Sequence, residues 1–109
     1  MTLRVLFVCS RNRLRSPTAE VVFADMPGVE TDSAGLAPDA DTVLDAAQLD
    51  WADLIVVMER RHRSRLLRTF GTGLGDRRVV CVDIPDRYGY MEPALVALLK
   101  RKVGPLLRR

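Results

Sequence analysis

An apolar run from Leu3 to Val8, broken only by Arg4, ends on Cys9 and gives way within seven residues to Ser16-Pro17 and a helical pattern. A continuous run of this kind marks a strand buried on both faces, as in parallel sheets covered by helices. Pro17 suits the first helical position with Ser16 as N-cap, and Ala19, Val22, Phe23 and Met26 recur at i, i+3, i+4 and i+7. The chain therefore opens as strand, short polar loop and helix, the order in which backbone N–H groups and a helix dipole gather around an anion.

The remaining segments keep alternating. Val29 to Ser33 reads as a short strand, and a Pro/Asp/Ala-rich stretch leads to a weak helix around Thr42 to Leu49. Leu54 to Met58 is a strand, and Glu59 to Phe70 a helix whose apolar side carries Leu66, Leu67 and Phe70. The glycines at 71, 73 and 75 lack a following Lys-Ser/Thr, so they read as a C-cap and turn rather than a nucleotide loop. Arg77 to Val82 is the fourth strand, and the last helix opens at Pro93 and is interrupted at Gly104-Pro105. This order predicts a three-layer α/β fold, a four-stranded parallel sheet with helices on both faces and a phosphate-binding loop after strand 1, in one domain over residues 1–109. Ligands of such sheets bind at the carboxyl ends of the strands, where Cys9, the Ser33 loop and the Asp83 to Tyr90 loop converge.

Cys9 and Arg15 stand six positions apart across that first loop. The field at such a turn favours the thiolate of a cysteine. A guanidinium returning to its mouth grips two oxygens of a tetrahedral oxyanion, which lysine cannot reproduce. Fifteen of the 109 residues are Arg, so the bare pair is weak; its place between a strand and a Ser-Pro helix start gives it meaning. The net charge is +3, with clusters at Arg11/Arg13/Arg15, Arg60 to Arg68, Arg77-Arg78 and Arg108-Arg109. That excess suits an anionic substrate or a nucleic acid, although no RNA-recognition motif, zinc-finger spacing or aromatic interleaving favours the nucleic acid. Arg60, Arg61, Arg63, Arg65 and Arg68 read most simply as the wet side of one helix. No apolar stretch is long enough for a membrane span, and two distant cysteines without a secretory leader predict a reducing cytoplasm. Nothing in the sequence sets the oligomeric state.

The segment from Val5 through Cys9, Asn12 and Arg15-Ser16-Pro17 to Ala19-Glu20 resembles the signature of the low-molecular-weight protein tyrosine phosphatases. Asp32-Ser33-Ala34-Gly35 is similar to that family's Asp-Ser-Ala-Gly segment, Ala52 to Glu59 to its third strand, and Asp86-Arg87-Tyr88 to its Asp-Pro-Tyr acid loop. Departures stand beside these likenesses. The interval from Gly35 to Asp53 is shorter than the family's, Leu36-Ala37-Pro38 replaces a common aromatic, and Arg11, Arg13 and Leu14 replace glycine, an aliphatic residue and cysteine.

The resemblance implies a cysteine phosphatase acting on phosphotyrosine-type protein or small aryl phosphates, without metal or cofactor. Cys9 would be the nucleophile, and the loop from Ser10, Arg11, Asn12, Arg13 and Leu14 to Arg15 would bind the phosphate. Asp86, with Asp83 as its rival, would be the general acid and base. Ser16 would cap the helix and donate to the Cys9 sulfur, Tyr88 would flank the substrate ring, and Ser33 would brace the loop through Asn12. His62 reads as a helix-surface or first-turn histidine, and Cys81 as a small buried hydrophobe. Two other classes stay open: an arsenate reductase-like thiol enzyme, with Cys81 the only relay candidate, and a non-catalytic phosphate- or RNA-binding module.

Overall fold

Four apolar segments pair as predicted, in a computed structural model that describes residues 2–108; Met1 and Arg109 lie outside the described residues. The elements are β1 (Leu3–Cys9), α1 (Arg15–Phe23), β2 (Val29–Gly35), α2 (Ala46–Trp51), β3 (Leu54–Val57), α3 (Arg60–Phe70), β4 (Arg78–Cys81) and α4 (Pro93–Leu107). All strand pairs are parallel, in the order β2-β1-β3-β4. β1 is therefore central, and its end, Cys9, emerges between Gly35 on one side and the end of β3 on the other.

Alternation along β1 and β3 divides the core in two. Val5, Phe7 and Cys9 with Leu54 and Val56 pack under α1 and α4, against Ala19, Phe23, Leu95, Leu99 and Val103. Leu6 and Val8 with Ile55 and Val57 pack on the opposite face under α2 and α3, against Leu49 and Leu66. The three layers follow from period-two strands whose side chains are apolar on both faces. No helix among the described residues is long and apolar enough to cross a membrane.

Four local readings change. α1 begins at Arg15 with Leu14 as its N-cap residue and no side-chain cap, so Ser16 is already inside the helix. The helix before β3 runs Ala46–Trp51 and is started by a capping box, in which Asp45 accepts from the Gln48 amide at 2.8 Å and Gln48 accepts from the Asp45 amide at 3.3 Å. α3 runs on through a 3₁₀ turn, Gly71–Leu74, and the reversal comes at Gly75, with φ 54°. α4 continues through Gly104-Pro105 to Leu107. Pro105 lies in its last turn, where a single lost N–H bond leaves only the solvated Arg101 carbonyl without its partner.

Candidate active site

The polypeptide leaves β1 at Cys9 and turns through residues 10–14 before α1 starts. The outer side of this loop is pinned: the carbonyls of Cys9, Ser10 and Arg11 accept from the amides of Leu36, Ala37 and Asp41 at 3.1, 2.8 and 3.0 Å. Its inner side is not. Among the described residues the backbone N–H groups of 10–14 find no protein acceptor, so five donors stay free in the short loop between Cys9 and a helix N-terminus. Such a nest binds tetrahedral oxyanions. Gly35 lets the loop close on β2, since a Cβ there would lie 2.6 Å from the Ser10 carbonyl oxygen and 2.9 Å from the Arg11 carbonyl carbon.

Beneath the loop runs a chain of side-chain hydrogen bonds. Asn12, left-handed at φ 56°, donates from Nδ2 to Ser16 Oγ at 3.0 Å and to Ser33 Oγ at 2.9 Å. Left-handed backbone geometry suits asparagine. Ser33 passes its own hydroxyl hydrogen to the Glu20 carboxylate at 2.5 Å. Ser16 Oγ lies 3.0 Å from Cys9 Sγ. Either atom of this pair can donate while Cys9 carries its proton; to a thiolate, only the Ser16 hydroxyl can. The capping role expected of Ser16 is absent because the helix already begins at Arg15, one residue before it, and its side chain is turned to Cys9 and Asn12.

Arg15 is 2% exposed although charged, and its partners explain how. Nη1 donates to Glu59 at 2.6 Å and to the Ile84 carbonyl at 2.7 Å, while Nε stands 3.7 Å from the Asp86 carboxylate. Burial alone would raise the Glu59 pKa, but hydrogen bonds and charge from Arg61 and Arg15 hold it down at about 2. The Asp83 to Tyr90 loop is fixed at its base. Lys102 Nζ binds the carbonyls of Val82 and Asp83 at 3.0 Å each, and the fully buried Ile84 donates its amide to Met58 at 2.8 Å. Asp86, two residues on, reaches the cleft above Cys9; Asp83, at φ 51°, instead faces Arg60 at 3.8 Å and Cys81 at 3.5 Å.

His62 lies in the first turn of α3 but not on the surface, being 2% exposed. Its Nδ1 accepts the Glu59 amide at 3.1 Å, which places the ring proton on Nε2, and Nε2 then donates to Ser10 Oγ at 3.0 Å. One imidazole thus ties the loop after Cys9 to the residue that holds Arg15. Burial first, then the charges of Arg15 and Arg61, lower its pKa to about 4.

A stability prediction follows from these two groups. Between pH 6.5 and 4 the unfolded chain binds a proton at His62 that the native state refuses, so stability falls with acid across that window, by about 3 kcal/mol for the shift seen. Glu59, with its native pKa depressed to about 2, adds stability above its unfolded value that is lost as pH drops from 4.5 toward 2. Urea unfolding at pH 7 and pH 4.5 should show a clearly lower midpoint at 4.5, and His62→Gln should flatten that difference. An unchanged midpoint in the parent protein would contradict the buried neutral imidazole.

The cleft above Cys9 has a volume of about 500 Å³. Ser10, Arg11, Arg13, Leu14 and Arg15 line it from the loop, with Ala37, Asp86 and, from α3, Arg61 and Arg65. The last two correct the reading of α3 as a merely wet helix: Arg61 and Arg65, four apart, share a side that faces the site. Tyr88 does not line the cleft; it is half-buried against the core under α1 and α4, with the Arg87 guanidinium 5.9 Å from its ring. Cys81 is only partly buried, donates to Asp83 at 3.5 Å, and packs on the α2/α3 face whereas Cys9 packs on the other. Cys81 is level with Val57 and Val57 with Val8, so it stands two strands, about 10 Å, from the end of β1. A disulfide needs Cα atoms within about 7 Å, so Cys9 and Cys81 cannot pair in this fold.

Two of these residues, Glu59 and His62, escaped the sequence reading as site components. Glu59 follows the end of β3, beside the end of β1, which is where sites of parallel sheets lie; that position was their available signal.

No protein-family model and no curated protein matches the chain. Solved structures do. Wzb of Vibrio vulnificus, in complex with benzylphosphonate, superposes with a TM-score of 0.78 at 25% identity over 97% of each chain. The tyrosine phosphatase AmsI of Erwinia amylovora gives 0.75 at 25% identity, covering 99% of this chain and 95% of its own. The YwlE arginine phosphatase of Geobacillus stearothermophilus shares the fold, with 0.75 at 24% identity over 95% and 92%. With the Cys9 loop, the buried Arg15 and the Asp86 loop held at the ends of a β2-β1-β3-β4 sheet, the chain has the fold of these phosphatases, in keeping with its sequence resemblance to the low-molecular-weight protein tyrosine phosphatases.

Proposed function

We propose that the chain is a cysteine-dependent phosphatase that hydrolyses phosphotyrosine-type aryl or protein phosphate monoesters through a phosphocysteine intermediate. One observation carries this: the Cys9 sulfur is hydrogen-bonded to Ser16 and opens a loop of five unpartnered amides that ends on a buried Arg15. The Cys9 thiolate attacks phosphorus in line with the ester oxygen. Loop amides from Ser10 to Arg15 and the Arg15 guanidinium hold the equatorial oxygens as charge spreads over them. The P–O bond to the leaving group breaks as Asp86 delivers its proton to that oxygen. Asp86, now a carboxylate, takes a proton from the water that attacks the phosphocysteine, and the sulfur departs stabilised by Ser16.

Phosphotyrosine is favoured over phosphoarginine by the walls. A departing arginine is cationic, and Arg11, Arg13, Arg61 and Arg65 surround the place where it would leave. A thiol relay by Cys81 is disfavoured by its distance and face, leaving an external thiol as the only route to arsenate reduction. A nucleophilic thiol with no partner to oxidise it internally fits a single domain working in the reducing cytoplasm.

Hydrolysis of p-nitrophenyl phosphate, a phosphotyrosine peptide and a phosphoarginine peptide, all with EDTA present, tests the reading. Turnover of the first two with a pre-steady-state burst, and several-fold slower release from phosphoarginine, is the expected result. Faster phosphoarginine release would reassign the substrate, and no turnover of any would remove the phosphatase reading.

A further inference from the structure

Five arginines face the cleft against a single acid, Asp86, yet they are not equally available. Arg15 is bound to Glu59 and Ile84. Arg61 donates to Glu59 at 3.0 Å. Arg11 stands 3.5 Å from Asp39, and Arg13 3.2 Å from Asp41 with a further bond to the Asp39 carbonyl. Each of these guanidinium charges is partly balanced before any ligand arrives. Arg65 differs: it is exposed, lines the cleft, and among the described residues has no acid within 4 Å.

Its position is set by the helix. Leu66 is fully buried in the core under α3 and anchors that turn, and Arg61, one turn earlier, is held by Glu59 on the same side of the helix. Arg65 is thus a cation on a fixed element at the rim of a site whose floor takes a phosphate. Arg63 and Arg68, on the same helix, do not line the cleft. The excess charge at the rim is therefore directional rather than a general property of α3.

We infer that Arg65 forms a second anion subsite, which selects phosphotyrosine peptides carrying an acidic residue beside the phosphotyrosine. This rests on the phosphatase reading above and names its substrate class. The phosphate occupies the loop, the neighbouring carboxylate pairs with Arg65, and both charges are recognised together. Arg11 and Arg13 contribute less, because binding a substrate carboxylate there competes with Asp39 and Asp41. An exposed pair of this kind contributes modestly and is screened by salt, so the selectivity is a preference rather than a requirement.

The test compares kcat/KM for two phosphotyrosine peptides, identical except for Glu or Gln at the residues flanking phosphotyrosine, at low and high ionic strength. The acidic peptide should be favoured about two- to five-fold at low salt, and the ratio should approach one at high salt. Arg65→Ala should remove most of the preference and Arg65→Glu should invert it, while Arg68→Ala, of equal charge but away from the cleft, should leave it intact. A ratio of one in the parent protein, or equal loss from Arg65→Ala and Arg68→Ala, overturns the inference. Binding of the same peptides to Cys9→Ser by calorimetry separates the two claims. If nothing is hydrolysed but the acidic peptide still binds more tightly through Arg65, the subsite stands and the catalytic reading falls. If hydrolysis proceeds without preference in rate or binding, the reverse holds.

Discussion

Cys9→Ser reduces aryl phosphate turnover to background while inorganic phosphate still binds with an affinity close to that of the parent protein. The expectation comes from a division of labour in the loop. The donors that hold the oxyanion are backbone amides and Arg15, whose geometry is set by Gly35, Asn12, Glu59 and Ile84, and none of these depends on sulfur. The bond to phosphorus does, because an alcohol at position 9 is far harder to deprotonate than a thiol. Calorimetric titration with phosphate, alongside steady-state assay, checks both halves. Retention of more than a few per cent of the parent rate would remove Cys9 from the reaction; loss of phosphate binding would show that the cradle depends on the thiol.

Asp86→Asn should slow hydrolysis of phenyl-type esters by about 10²- to 10⁴-fold, the range for a lost general acid. The loss should shrink for p-nitrophenyl phosphate, whose leaving group needs little help from a proton. Asp86 is half-exposed at the cleft, 3.7 Å from Arg15 Nε, while Asp83 is turned toward Arg60 and Cys81 outside it. Asp83→Asn should therefore leave the dependence on the leaving group unchanged. The opposite pattern, with Asp83→Asn producing the leaving-group signature, would transfer the acid role to Asp83.

The sheet was readable because β1 and β3 are apolar on both faces and because Pro17 and Pro93 mark helix starts; the loop after Cys9 was legible as a strand-to-helix turn because its sequence is local. What escaped was set by distance along the chain. Arg15 reads as an anion ligand, but its burial requires Glu59, 44 residues on, and Ile84, 69 residues on. His62 looks like a surface helix residue because the helix around it is rich in arginine, and only packing against Ser10 makes it interior. Arg61 and Arg65 share a helix side by spacing, yet which side meets the cleft depends on where Leu66 docks. Ser16 fits a capping rule that tertiary contacts override, since the helix begins at Arg15, one residue before it, and the side chain is held by Cys9 and Asn12. The Asp45 and Gln48 box sets a start for α2 four residues later than the Pro/Asp/Ala-rich stretch suggests.

The run of bonds from Asn12 outward has one polarity once Cys9 is a thiolate. Two amide hydrogens meet two hydroxyl oxygens; one hydroxyl ends on the Glu20 carboxylate, and the other meets the sulfur, to which it then donates. In the proposed reaction negative charge would move from Cys9 to phosphate and later return, and no dipole in this network would have to rotate to meet it. In water, that rotation is much of what a charge transfer costs; here the orientation is fixed when the chain folds. The same network would greet the sulfur in its resting and departing states alike, so the attack and the hydrolysis share one unmoving solvent made of protein.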